Sequence, residues 1–359
     1  MMKAKKIFKV IGTVFLVLVI LIILFLAAST ILFHVRVGKA KEYMEQKGYL
    51  NLVSAGDSNV NVYECGNPDG KHTIVALAGY LDGEMCIGWR NMTAPLEEDN
   101  RLVFLDRPGY GLSDDYQGDI TPDVIVEQYR TALQNAGISA PYVLMPHSIG
   151  GLYATYWVSE YPEEIEAVMF IDGTEAQHYD LENESYDLGI VKWVMRAGKL
   201  GLLPILINAE YADMLSSLPE EDRAAASALL EKTMSNYATA NEMMNMQKNC
   251  NFNFDHIKQN DVPKLYISIM RAFHTKDDLI SEGWTADRLR SEMAVKGETD
   301  DEVYENYLAD LAETGVCLVP YVEMMGNCKL IELRGQHEIM FDKPEECGAL
   351  LKEFIDELE

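Results

Sequence analysis

The chain has 359 residues, with 30 Lys+Arg against 57 Asp+Glu and a formal charge of −27; 48% of the residues are hydrophobic and 24% charged. That balance excludes a disordered polyampholyte, a collagen-like fibre and a small disulfide scaffold, and supplies ample chain for a core. Its acidity argues against nucleic acid as a partner, because phosphate backbones are repelled.

The charge is uneven. Residues 1–41 hold seven Lys+Arg and no acid, which leaves 23 basic against 57 acidic groups in the remainder. Residues 10–33 are 24 consecutive residues without a charged side chain, bracketed by Lys9 and His34. At about 1.5 Å per residue the run crosses a hydrocarbon layer of roughly 30 Å. It outlasts the apolar region of a secretory signal, about 7–15 residues. The expectation is a signal anchor that contacts a lipid bilayer through residues 10–33. Ala27-Ala28-Ser29 resembles a cleavage site, so a cleaved signal is the competing reading. Lys3, Lys5, Lys6 and Lys9 outnumber Arg36, Lys39 and Lys41, which predicts a single-pass cell-membrane protein with its body outside. Removing residues 1–41 is expected to release a soluble, independent body.

Beyond the anchor, β-rich runs fall at 49–53, 59–65, 72–78, 102–106, 142–146, 167–172, 264–270 and 329–333. Helical patterns fall at 88–98, 122–136, 149–160, 301–314 and 344–358. The first runs read as a hairpin; the later ones alternate with helices, which predicts a mostly parallel sheet covered on both faces. Residues 177–258 contain no convincing strand and read as a helical insertion, too long for a loop. The predicted divisions are an anchor (1–41), a first core part (42–176), a helical cap (177–258) and a second core part (259–359). The six cysteines match no CxxC pattern and read as free thiols, and no His pair has metal-ligand spacing, so no metal or other cofactor is expected.

Three motifs carry the chemistry. In Pro141-Tyr-Val-Leu-Met-Pro-His-Ser-Ile-Gly-Gly151, a hydrophobic strand, a sharp turn and a helix start place Ser148 at the turn. Leu102-Val-Phe-Leu-Asp-Arg-Pro-Gly-Tyr-Gly-Leu-Ser113 is a strand followed by a glycine-rich loop. Gly335-Gln-His337-Glu-Ile-Met-Phe-Asp-Lys-Pro344 lies between the last strand and the last helix. The first resembles the G-x-S-x-G nucleophile elbow, with Pro146 at the first glycine. The second resembles the D-R-x-G-x-G-x-S loop upstream of that elbow, and the third the catalytic-histidine loop of the same fold.

On these motifs residues 50–359 are identified as an α/β-hydrolase fold, of the serine-nucleophile branch with a helical cap, in a membrane-anchored bacterial-type member. The resemblance implies an eight-stranded, mostly parallel sheet. It implies Ser148 as nucleophile, His337 as base and a carboxylate between them in chain order. Asp172 ends the sixth strand; Asp277 and Asp278 follow the seventh at a distance, and both placements occur in the family. Backbone N–H groups of Ile149 and Tyr80 are the implied oxyanion donors. Ser148 excludes the members that open epoxides or displace halide with an Asp nucleophile. Trp193, Met195, Leu202, Leu203, Ile205, Met234, Met243, Met244 and Met246 are candidates to line an apolar pocket, or to pack the cap on itself. The implied activity is hydrolysis of a small-molecule carboxylic ester or thioester with an apolar group. An aminopeptidase and a non-catalytic ligand-binding sensor of the same fold are the alternatives.

Overall fold

The computed structural model describes residues 2–179, 181, 188–204, 214–269, 272–293 and 295–358. The predicted pocket residue Ile205 and the strand residue Met270 lie outside them. The chain begins with one continuous helix, α1 (Met2–Gln46). Eight strands follow: β1 (Leu52–Ser54), β2 (Asn59–Gly66), β3 (Thr73–Leu77), β4 (Arg101–Leu105), β5 (Tyr142–Pro146), β6 (Ile165–Ile171), β7 (Lys264–Ser268) and β8 (Cys328–Glu332). They form one sheet in the order β1-β2-β4-β3-β5-β6-β7-β8. The pairs β1/β2 and β2/β4 are antiparallel and all others parallel. This is the eight-stranded, mostly parallel sheet that the motif resemblance implies.

Parallel strands need helical crossovers, and these cover both sheet faces, which is why β5 is apolar and buried along its whole length. Two short helices, α2 (Met85–Gly88) and α3 (Arg90–Thr93), stand where a single helix over 88–98 is predicted; Pro95 in the following turn breaks the run. Helices α4 (Pro122–Asn135) and α5 (Gly150–Glu160) flank β5.

The cap contains α6 (Leu188–Lys199), α7 (Glu220–Met234), α8 (Tyr237–Met244) and α9 (Met246–His256). It docks on the loop after β4. Lys232 Nζ donates to the carbonyls of Gly111 (2.9 Å) and Ser113 (2.7 Å), and Gly111 N–H donates to Thr233 Oγ1 (3.2 Å). After β7 come α10 (Lys276–Ser281), α11 (Ala286–Glu292) and α12 (Asp300–Met325), then α13 (Ile339–Asp342) and α14 (Pro344–Asp356). Phe273, Leu279, Trp284, Leu289, Tyr304 and Tyr307 build a separate small core there, which the sequence pattern did not announce. Helix α12 runs past the predicted end at 314 and through Pro320. Burial of Leu318, Tyr321, Val322 and Met325 compensates the hydrogen bond that proline removes.

The N-terminal boundary differs from the expected one. Helix α1 does not stop at residue 41, and its last turns are part of the body. Phe33, Ala40 and Met44 are buried. Tyr43 OH donates to Asp222 Oδ1 (2.6 Å), Arg36 Nη2 to Glu231 Oε2 (2.7 Å) and Ser29 Oγ to Gly201 O (2.8 Å). An independent body after removal of 1–41 is therefore not what the packing supports, because that cut strips Phe33, Ala40 and Arg36 from the cap. Deleting 1–41 is expected to lower the melting temperature markedly, since each large buried side chain contributes roughly 1.5–3 kcal/mol. Deleting 1–28 spares these contacts and is expected to leave it unchanged. Thermal melts of both truncations in detergent check the pair.

Candidate active site

The site is built at the carboxyl end of β5. Pro146 has no N–H for the ladder, yet the pairing passes it. His147 N–H donates to Leu77 O (3.0 Å) and Ser148 N–H to Ile171 O (3.2 Å). The chain then reverses sharply, with Ser148 at φ 50°, a left-handed conformation rare for a side-chain-bearing residue. Gly150 makes the reversal possible: a Cβ there would lie 2.6 Å from Leu77 O. Strand, strained turn and helix thus hold Ser148 beyond the sheet edge with the first N–H groups of α5 beside it.

The structure brings Ser148, His337 and Asp172 together. Ser148 Oγ lies 2.9 Å from His337 Nε2, and His337 Nδ1 lies 2.6 Å from Asp172 Oδ2. Asp172 follows β6 at φ 42°, and its second oxygen accepts from Ile269 N–H (2.7 Å) beyond β7. The carboxylate is thereby fixed between two strand ends. Asp277 and Asp278 are not on His337. They occupy the first turn of α10, where Asp278 closes a capping box with Thr275 and pairs with Arg334 (2.7 Å). The late acid is a helix cap, for which Thr-x-x-Asp is the local signature.

A family model described as alpha/beta hydrolase fold matches residues 73–280, more than half of the chain. The chain belongs to the alpha/beta hydrolase fold family. Along almost its full length it is similar to the uncharacterized protein YbdG of Bacillus subtilis, 26% identical over 355 residues and 98% of each chain. Among solved structures it is similar to a putative lipase from Acinetobacter baumannii AYE (TM-score 0.56, 14% identity, 91% of this chain and 96% of that one). It is similar also to a haloalkane dehalogenase from Agrobacterium tumefaciens C58 (TM-score 0.54, 16% identity, 86% and 96%). These likenesses show the fold, which hosts more than one chemistry.

Several side chains of this hydrolase-fold site were not singled out in the sequence. His147, beside the serine, has Nδ1 2.9 Å from Asp82 Oδ2 and Nε2 3.0 Å from His337 O, so it ties the histidine loop to the loop after β3. Asp82 Oδ2 also accepts from Gly79 N–H (2.7 Å). Burial alone would raise the Asp82 pKa, but His147 and the Gly79 N–H outweigh it and hold the carboxyl below its usual range. Arg107, from the loop after β4, is fully buried and donates to the carbonyls of Ala78 and Gly79, the latter at 2.9 Å. In a trans peptide C=O and N–H point oppositely, so the Arg107 bond to Gly79 O turns Tyr80 N–H away from the guanidinium. Arg107 is neutralised by Glu242 of α8 at 3.0 Å, and Glu242 also accepts from the hydroxyls of Tyr110 and Tyr153. An arginine beside a glycine-rich loop was the visible signal; its acid partner is 135 residues away.

Burial pulls the His337 pKa down, but the Asp172 carboxylate and nearby acids outweigh it and push the imidazole up to about 9. Its side chain remains 36% exposed. An apolar cavity of about 330 Å³ opens at Tyr80 and Leu81, walled by Ile190, Val191 and Val194 of α6 and by Met234, Ala240 and Met243 of α7 and α8. Of the predicted pocket residues, Met234 and Met243 line it. Leu203 is buried in the cap, Met195, Leu202, Met244 and Met246 are half-buried, and Trp193 faces outward.

Proposed function

We propose that the chain is a membrane-anchored serine hydrolase that cleaves carboxylic esters or thioesters bearing an apolar group. The observation that carries this reading is the hydrogen-bonded series Ser148–His337–Asp172, with the serine on a strained turn. His337 accepts the Ser148 proton as Oγ attacks the acyl carbon, and the leaving group departs with that proton. Water then attacks the acyl-enzyme by the same route in reverse. Asp172 holds the imidazole in the tautomer whose Nε2 faces Ser148 and stabilises the imidazolium. The N–H groups of Ile149 and Tyr80 receive the developing oxyanion. The cavity beside Tyr80 takes the apolar group. Helix α1 is long and apolar enough to cross a membrane, with its apolar stretch exposed over most of its length. It anchors the body, on the outer side by the excess of basic residues before the span.

The test is labelling of the full chain with a fluorophosphonate, which reacts with an activated serine. The expected adduct maps to Ser148 and is absent from Ser148→Ala. A folded protein that takes no label would overturn the reading.

The raised His337 pKa sets the pH dependence. The base works only when neutral, so kcat/KM is expected to rise tenfold per pH unit below about 9 and to level off above it. Stability runs the other way. A pKa raised in the folded state contributes stability that is complete below the ordinary 6.5 and is lost as pH climbs through about 9. A pH–rate profile set beside thermal melts over the same range checks both signs; Asp172→Asn is expected to move the kinetic inflection down.

A further inference from the structure

The anchor and the cap are not separate parts, and their contact fixes the height of the cap against the apolar stretch. Along α1 toward its N-terminus, Tyr43 meets Asp222, Arg36 meets Glu231, and Ser29 meets the Leu200–Gly201 turn that ends α6. Gly201 is required there, because a Cβ would lie 2.4 Å from Ser29 O. Ser29 is five residues inside the apolar run, counted from His34, which is about 7 Å along a helix axis. Helices that lie in a bilayer surface are buried to about 5–10 Å. The composition of α6 fits that depth. It carries Lys192, Arg196 and Lys199 and no acid, in a body whose net charge is strongly negative. Its outer face exposes Ile190 (60%) and Trp193 (57%), and Leu200 (38%) continues it. Basic groups with an exposed aromatic on an amphipathic helix are the pattern of an interfacial segment facing anionic lipid. The acids that meet α1 lie at the opposite end, at Asp222 and Glu231.

We propose that α6 and the Leu200–Gly201 turn rest in the interfacial layer of the bilayer that α1 crosses, and that the cavity draws an ester of a membrane-partitioned lipid from that layer. Ile190 and Val191 join the lipid-facing helix to the cavity wall, so an acyl chain enters between α6 and the loop carrying Tyr80 without passing through water. The proposal rests on the anchor and the Ser148 reading above, and its failure is separable from theirs.

Trp193 provides the probe. The other three tryptophans, Trp89, Trp157 and Trp284, are buried in the body. In full-length chain reconstituted into phosphatidylcholine–phosphatidylglycerol vesicles, lipids brominated near the glycerol end are expected to quench a fluorescence component that Trp193→Phe removes, and aqueous iodide is expected to leave it unquenched. Iodide quenching without bromolipid quenching would overturn the proposal. Trp193→Asp is expected to lower turnover of a long-chain diacylglycerol in the same vesicles by about ten-fold while leaving a water-soluble short-chain ester unaffected. Equal effects on both substrates, or on neither, would also overturn it. Ser148→Ala is expected to keep the quenching pattern and lose both activities; retained activity there strikes the hydrolase reading and not the placement of α6.

Discussion

Ser148→Ala is expected to reduce ester turnover by roughly six orders of magnitude, and Asp172→Asn by about four, with the fold retained in both. The two losses differ because the groups act differently. Without Oγ there is no nucleophile, and His337 has nothing to activate. Without the Asp172 charge the geometry survives, but Asn can donate to Nδ1 and so select the wrong tautomer, and the imidazolium loses its counter-charge. The 2.6 Å contact to His337 and the Ile269 N–H bond on the other oxygen tie this role to Asp172. Asp277→Asn is expected to leave turnover unchanged, because Asp277 stands in the first turn of α10, away from His337. Steady-state kinetics on a chromogenic ester measure all three variants; a large loss in Asp277→Asn with none in Asp172→Asn would move the acid to the later loop.

Glu242→Ala is expected to cost about 3–5 kcal/mol of stability, because it strands the fully buried Arg107 without a counter-charge. The hydroxyls of Tyr110 and Tyr153 lose their acceptor at the same stroke. A double replacement, Arg107→Met with Glu242→Met, removes both charges and is expected to recover most of that stability, since buried ion pairs are often replaced by apolar side chains without loss. It is not expected to recover activity. The Arg107 bonds to Ala78 and Gly79 carbonyls hold the peptide that presents Tyr80 N–H, and methionine makes no such bond. Thermal melts separate the single from the double variant, and kcat separates folding from positioning. A double variant that recovers stability and full kcat would remove Arg107 from the site.

The position of the site could be read largely from local runs of about ten residues. The turn at Ser148 and the loop of His337 each declare themselves within such a window, because a helix start or a strand end is determined by neighbouring residues. Which carboxylate reaches His337 could not be read this way. In the sequence Asp172 ends one strand while Asp278 follows another at a distance, and the chain order Ser, acid, His admits either. Only the pairing of β6 with β7 places one of them beside the imidazole and leaves the other to cap a helix.

The same holds for the cap. Its helical character follows from composition, but its hold on the body depends on Glu242 meeting Arg107 and on Gly201 meeting Ser29, contacts between residues more than a hundred positions apart. Helix α1 shows the division most directly. Hydrophobicity alone marks residues 10–33 as long and apolar enough to cross a membrane, since that property depends on composition. The extension of α1 to Gln46 depends on the complementary face of α7, which no local pattern records. Short-range preference and hydrophobic period decide which elements form. Pairing register, buried charge neutralisation and close backbone approach decide which side chains meet, and these exist only once the chain has folded.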